Sequence, residues 1–123
     1  MDDLIAFITA RLDEEQIDAG MFRDEPHWEA ATLATIWRQL PSDPLIQHAA
    51  HYDPARVLRE VAAKRAILMR YETACRQADV NAVNSSRAEQ EAWEKIAGAL
   101  ELDVASLAAV WSDHPDYRQE GKP

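Results

Sequence analysis

Two groups of imidazole and carboxylate side chains carry the acid–base and metal-binding chemistry that the sequence offers. His48 and His51 stand three residues apart, on one side of a short helix, with Asp53 just beyond. Asp113, His114 and Asp116 lie together near the C-terminus. Imidazole and carboxylate are suitable donors for zinc, manganese or iron, and four or more would converge if the C-terminal segment returned to the region of His51. Either histidine could also serve as a general base near neutral pH. The competing reading makes the same residues helix caps and local hydrogen-bonding groups. No His-Glu-x-x-His, no second cysteine and no glycine-rich phosphate loop accompanies them. No nucleophile joins them, Tyr52 and Tyr117 read as packing residues, and no catalytic residue or cofactor is assigned.

The elements that position these groups are helical. Asp53 can accept hydrogen bonds from the free N–H groups of a first turn, and Pro54 fits the first helical position, where no N–H is needed. A long central helix is therefore expected over about 53–78, with Val57, Val61, Leu68, Tyr71 and Cys75 on its inner face and Leu58 at the flank. Before it, the sequence predicts helices from Asp2 to Ala19, from Pro26 through Leu40 with Trp28, Leu33, Ile36, Trp37 and Leu40 on the apolar side, and from Pro44 to about His51. After it, Asp79 to Ser85 reads as a connector. Ser86 and Glu89 form a capping box for a helix to Leu100, and Asp103 caps a last helix with Leu102 and Leu107 as a hydrophobic staple.

Charge is distributed unevenly. From Pro54 to Arg76, Arg56, Arg59, Lys64, Arg65, Arg70 and Arg76 oppose Glu60 and Glu72, so this stretch carries +4 in a chain whose net charge is −9. Acidic neighbouring helices would neutralise it; alternatively Arg56, Arg59 and Arg70, with Tyr117, contact a partner. The overall acidity disfavours duplex DNA, whose phosphates require a basic face.

With 123 residues, 47% of them hydrophobic, and four Trp, the chain suits one all-α domain over 1–123, a compact bundle of about five helices around the long one. Residues 118–123 are expected to be flexible. No apolar run approaches a membrane span, and Asp2 and Asp3 are unlike the start of a signal peptide, so a cytoplasmic protein is expected. Cys75 is the single cysteine; its place on the apolar stripe predicts a buried thiol.

The blocks HAAHYDPARVLREVAAKRAIL, MDDLIAFITARLDEE and WSDHPDYRQEGKP resemble a family of small uncharacterised proteins, a domain of unknown function, from actinobacteria and their phages. The chain departs from that pattern at Glu25-Pro26-His27-Trp28 and at Gly121. The resemblance implies an origin and no activity. Three readings follow from the residues: a non-enzymatic protein-interaction or regulatory module, with a homodimer as one form; a metal-binding protein or metal-dependent hydrolase using the two clusters; and an acidic DNA-mimic inhibitor.

Overall fold

The computed structural model describes residues 2–21, 27–84 and 86–117. They form five α-helices, α1 (Asp2–Gly20), α2 (Ala30–Trp37), α3 (Pro44–His51), α4 (Pro54–Asn84) and α5 (Arg87–Ala108), followed by a 3-10 turn, Ala109–Trp111. No strand occurs among the described residues. The all-α expectation with one long helix holds, and none of these helices is long and apolar enough to cross a membrane. The expectations placed on Pro26, Ser85 and residues 118–123 fall outside the described residues.

Helix starts follow local chemistry. Asp43 accepts from the backbone N–H of Leu45 at 2.8 Å and Pro44 occupies the first turn of α3. Asp53 accepts from the N–H of Arg56 at 2.9 Å to open α4, and Ser86 accepts from the N–H of Glu89 at 3.2 Å to open α5. Each bond satisfies one of the N–H groups that a first turn leaves unpaired.

Helix ends differ from expectation where burial outweighs local composition. Helix α4 continues past Asp79 for a total of 31 residues, about 46 Å at 1.5 Å per residue. Ala74, Ala78 and Asn81 extend the buried face of Val61, Leu68 and Tyr71, and the Asn81 amide donates to the Gln77 carbonyl one turn back at 2.8 Å. Asparagine, read as a connector signal, is thus accommodated inside the helix. Helix α5 likewise runs through Asp103, because Val104 and Ala108 are fully buried and remain in phase with half-buried Trp93, Ala97 and Leu100. The expected cap at Asp103 and its staple do not form, and Leu102 is exposed.

Helix α2 is eight residues long, starting at Ala30 after non-helical residues 27–29, where the expected span from Pro26 already has helix, and ending before the expected Leu40. It stops at Arg38, which adopts the left-handed conformation at φ 55°, ψ 42° and donates its N–H to the Ala34 carbonyl. Leu33 and Ala34 are buried, whereas Ile36, Trp37 and Leu40, expected on the inner side, are exposed.

The chain divides into two compact units. One comprises residues 1–11 and 63–123; its buried apolar residues are Ile8 from α1, Leu68, Tyr71, Ala74 and Ala78 from α4, and Val104 and Ala108 from α5. The other comprises residues 12–62. In it Leu33, Ala34 and Ile46 form a small core, with Trp28, Ala30, Ala49 and Ala50 packed against them.

Candidate functional site

In the unit of residues 12–62, Asp53 organises the junction between α3 and α4. Its Oδ1 accepts from the Arg56 N–H, and its Oδ2 accepts from the Trp28 N–H at 3.3 Å with Nδ1 of His27 3.7 Å away. The Arg56 N–H holds the Asp53 carboxyl below its ordinary value; burial opposes this, and the Trp28 N–H and the charges of His27 and Arg59 reinforce it. The carboxylate is therefore engaged by backbone donors. His48 and His51 instead flank Tyr52, with ring centroids 4.7 and 6.1 Å from its ring. Arg56 lies over the Tyr52 ring, its guanidinium carbon 4.4 Å from the centroid, and its Nε donates to Oε1 of Glu60 at 3.0 Å.

The second polar group belongs to the unit of residues 1–11 and 63–123. Arg11, buried on α1, donates from Nη1 to Nδ1 of His114 at 2.7 Å and also contacts Nε2 of that ring. The Asp116 N–H donates to the same Nδ1 at 3.0 Å, and the Asp116 carboxylate lies 3.6 Å from Arg11. Phe7, one turn before Arg11, meets Trp111, His114 and Tyr117 at centroid distances of 6.5, 5.8 and 5.7 Å. Lys64 covers Trp111 at 5.1 Å. The C-terminal segment thus docks on Phe7 and Arg11 of α1 and beside Lys64 of α4.

The two groups of candidate ligands belong to different units. Among the described residues no group of three or more His, Cys, Asp or Glu side chains is gathered to hold a metal ion. Asp53 already serves backbone N–H groups, and Nδ1 of His114 already accepts from Arg11 and Asp116. Asp113 is exposed. The sequence did not mark His27, Trp28, Phe7 and Arg11 as the partners that complete the two groups. The i, i+4 placement of Phe7 and Arg11 beside the Ile8–Leu12 stripe was the available signal.

A surface depression of about 430 Å³ lies in the same unit as the docked segment, lined by Asp2, Ile5, Ala6, Tyr71, Glu72, Cys75 and Arg76. Cys75, expected to be buried, is half-buried there. Burial pushes the Tyr71 phenol above its ordinary range, and its hydrogen bond with Cys75 adds to that. Tyr71 is therefore held as the neutral phenol, which can donate a hydrogen bond but cannot act as a base near neutral pH.

Of the four interaction candidates, Arg56 and Tyr117 are half-buried in the packing described above, and Arg59 and Arg70 are exposed on α4. Sequence reasoning overlooked a different surface. Within ten residues at the α2–α3 corner, Ile36 is 64%, Trp37 47%, Leu40 72% and Leu45 67% exposed. Between Ala30 and Ser42 the one charged side chain is Arg38.

The model of a family of unknown function, DUF6221, matches residues 1–123, and the chain belongs to that family. No curated protein and no solved structure matches it.

Proposed function

We propose that this member of the DUF6221 family is a non-enzymatic protein-interaction module, with the α2–α3 corner as its binding surface. The observation that carries the reading is the exposure of Ile36, Trp37, Leu40 and Leu45 within one short stretch. Large exposed apolar patches mark contact surfaces, and interface cores are enriched in aromatic residues and depleted of charge. Residues 30–42 carry one large aromatic, Trp37, and a single charged side chain, Arg38. Covering two thirds of a leucine or isoleucine side chain returns on the order of 1–2 kcal/mol before the cost of association is met. The engagement of Asp53 and His114 in internal hydrogen bonds supports a structural role for the groups that would otherwise be catalytic candidates.

The test is capture of a binding partner by tagged protein from a lysate of the source cells. Leu40→Lys with Leu45→Lys should abolish capture while leaving the circular dichroism spectrum and melting temperature unchanged, since both side chains are exposed. Capture that survives this double substitution contradicts the proposal.

A further inference from the structure

The α2–α3 corner carries, besides its apolar side chains, a pair of opposite charges at its two ends. Arg38 closes α2 in the left-handed conformation, and its exposed guanidinium has no hydrogen-bond or ion-pair partner among the described residues. Asp43 opens α3, capping it through Oδ1, and its Oδ2 has no hydrogen-bond or ion-pair partner among the described residues. Between them the turn is closed by the Asp43 N–H donating to the Leu40 carbonyl at 3.0 Å. The order along this turn is positive, apolar, negative.

A surface of that kind complements itself. In a two-fold contact residue i meets j and j meets i, so two copies packed through Leu40 and Leu45 bring each Arg38 to the other copy's Asp43. The net charge of −9 would otherwise oppose self-association, but this stretch carries one charge of each sign from Ala30 to His51, histidines aside. Area supports the same occupant and sets its strength. The four side chains offer roughly 400 Å² of apolar surface, within the range of functional patches on monomers. A standard interface takes about 800 Å² per partner. Gln39, Pro41 and Pro44, all exposed at the same corner, would enlarge the contact to the lower part of that range, which is the size of a weak, reversible dimer.

We infer that the occupant of the α2–α3 corner is a second copy of this chain, held by Leu40 and Leu45 with reciprocal Arg38–Asp43 pairs. This rests on the interaction-module reading and names its partner.

The experiment is sedimentation of the full chain over a concentration series from about 1 to 200 μM, bracketing a micromolar dissociation constant. The wild type should show a reversible monomer–dimer equilibrium, and Leu40→Lys should shift it at least about tenfold toward monomer. Arg38→Asp and Asp43→Arg each place like charges at both contacts, so each variant alone should be monomeric. Mixed together they should dimerise again, because the mixed pair restores both attractions. Rescue in the mixture also separates loss of contact from loss of the α3 cap in Asp43→Arg. A wild type monomeric up to 200 μM, a dimer indifferent to these substitutions, or a mixture without rescue overturns the inference. A monomer that captures a different protein through Leu40 and Leu45 also overturns it while leaving the interaction-module reading in place. Without capture or self-association, both fail.

Discussion

Nη1 of Arg11 donates a 2.7 Å hydrogen bond to Nδ1 of His114, joining residues 103 positions apart in the chain. Arginine has no acceptor, and the Asp116 N–H also donates to Nδ1, so this nitrogen must present its lone pair. The bond thus has Arg11 as donor and His114 as acceptor. With Phe7 against Trp111, His114 and Tyr117, it fastens the C-terminal segment to α1.

His114→Ala should accordingly destabilise the fold by about 1–3 kcal/mol, the usual effect of removing a partner from a buried polar group. Truncation after Ser112 should cost more, because the Tyr117–Phe7 ring contact is lost too. Urea unfolding measures both. A midpoint unchanged on truncation would show that the segment contributes nothing to the fold.

The sequence made the starts of α3, α4 and α5 legible and left the long-range pairings hidden. Asp43-Pro44, Asp53-Pro54 and Ser86 with Glu89 act within three residues of themselves, so their chemistry is complete in a short window. The ends of α4 and α5 depend on which side chains are buried: Asn81 is polar in composition yet sits inside, and Val104 and Ala108 hold α5 together across Asp103. The paired carboxylates and histidines were recognisable as groups, but their roles were set by Arg11, His27 and Trp28. Neither His27 nor Trp28 is marked by local spacing as a partner, and Arg11 is marked only by its i, i+4 relation to Phe7. The apolar side of α2 was misplaced because its periodicity allows Ile36 and Trp37 to face inward, while the short helix buries only Leu33 and Ala34.

Asp53→Ala should cost about 1–2 kcal/mol at neutral pH, the range for loss of a helix cap, whereas Asp53→Asn should retain much of the capping. The Asp53 carboxyl is depressed below 3.8 in the folded protein. Its contribution is thus complete above about pH 4 and is lost as pH falls through the lower folded value. The stability difference between wild type and Asp53→Ala should shrink on acidification below pH 3.8. A difference that stays constant from neutral pH to pH 2 would contradict this assignment.

Tyr71 provides the alkaline counterpart. Its phenol is raised above 10.0 in the folded state, so its contribution is complete below about pH 10 and disappears as pH climbs toward the folded value. Ultraviolet titration of the three tyrosines should show one that ionises only when the protein unfolds in alkali. Tyr71→Phe should remove that late step; its persistence in the variant would assign it to another tyrosine.

Arg38 holds φ 55° without the freedom of glycine. Left-handed backbone costs an L-residue about 1–2 kcal/mol, and the greater entropy of an unfolded glycine offsets about 0.4–1 kcal/mol of that. Arg38→Gly should therefore raise stability by roughly 0.5–1 kcal/mol in urea unfolding at low protein concentration. A clear loss of stability would show that the guanidinium itself supports the fold.

Site-resolved photo-crosslinking shows whether residues 36–45 form the contact surface. A photoreactive side chain is placed in turn at Leu40, Leu45, Met69 and Val83, all exposed, and the full-length protein is irradiated in a lysate of the source cells. A discrete adduct, with a second copy of the chain or with another protein, is expected from Leu40 and Leu45 and none from Met69 or Val83. Adducts confined to Met69 and Val83, or no adduct from Leu40 and Leu45, would contradict that expectation.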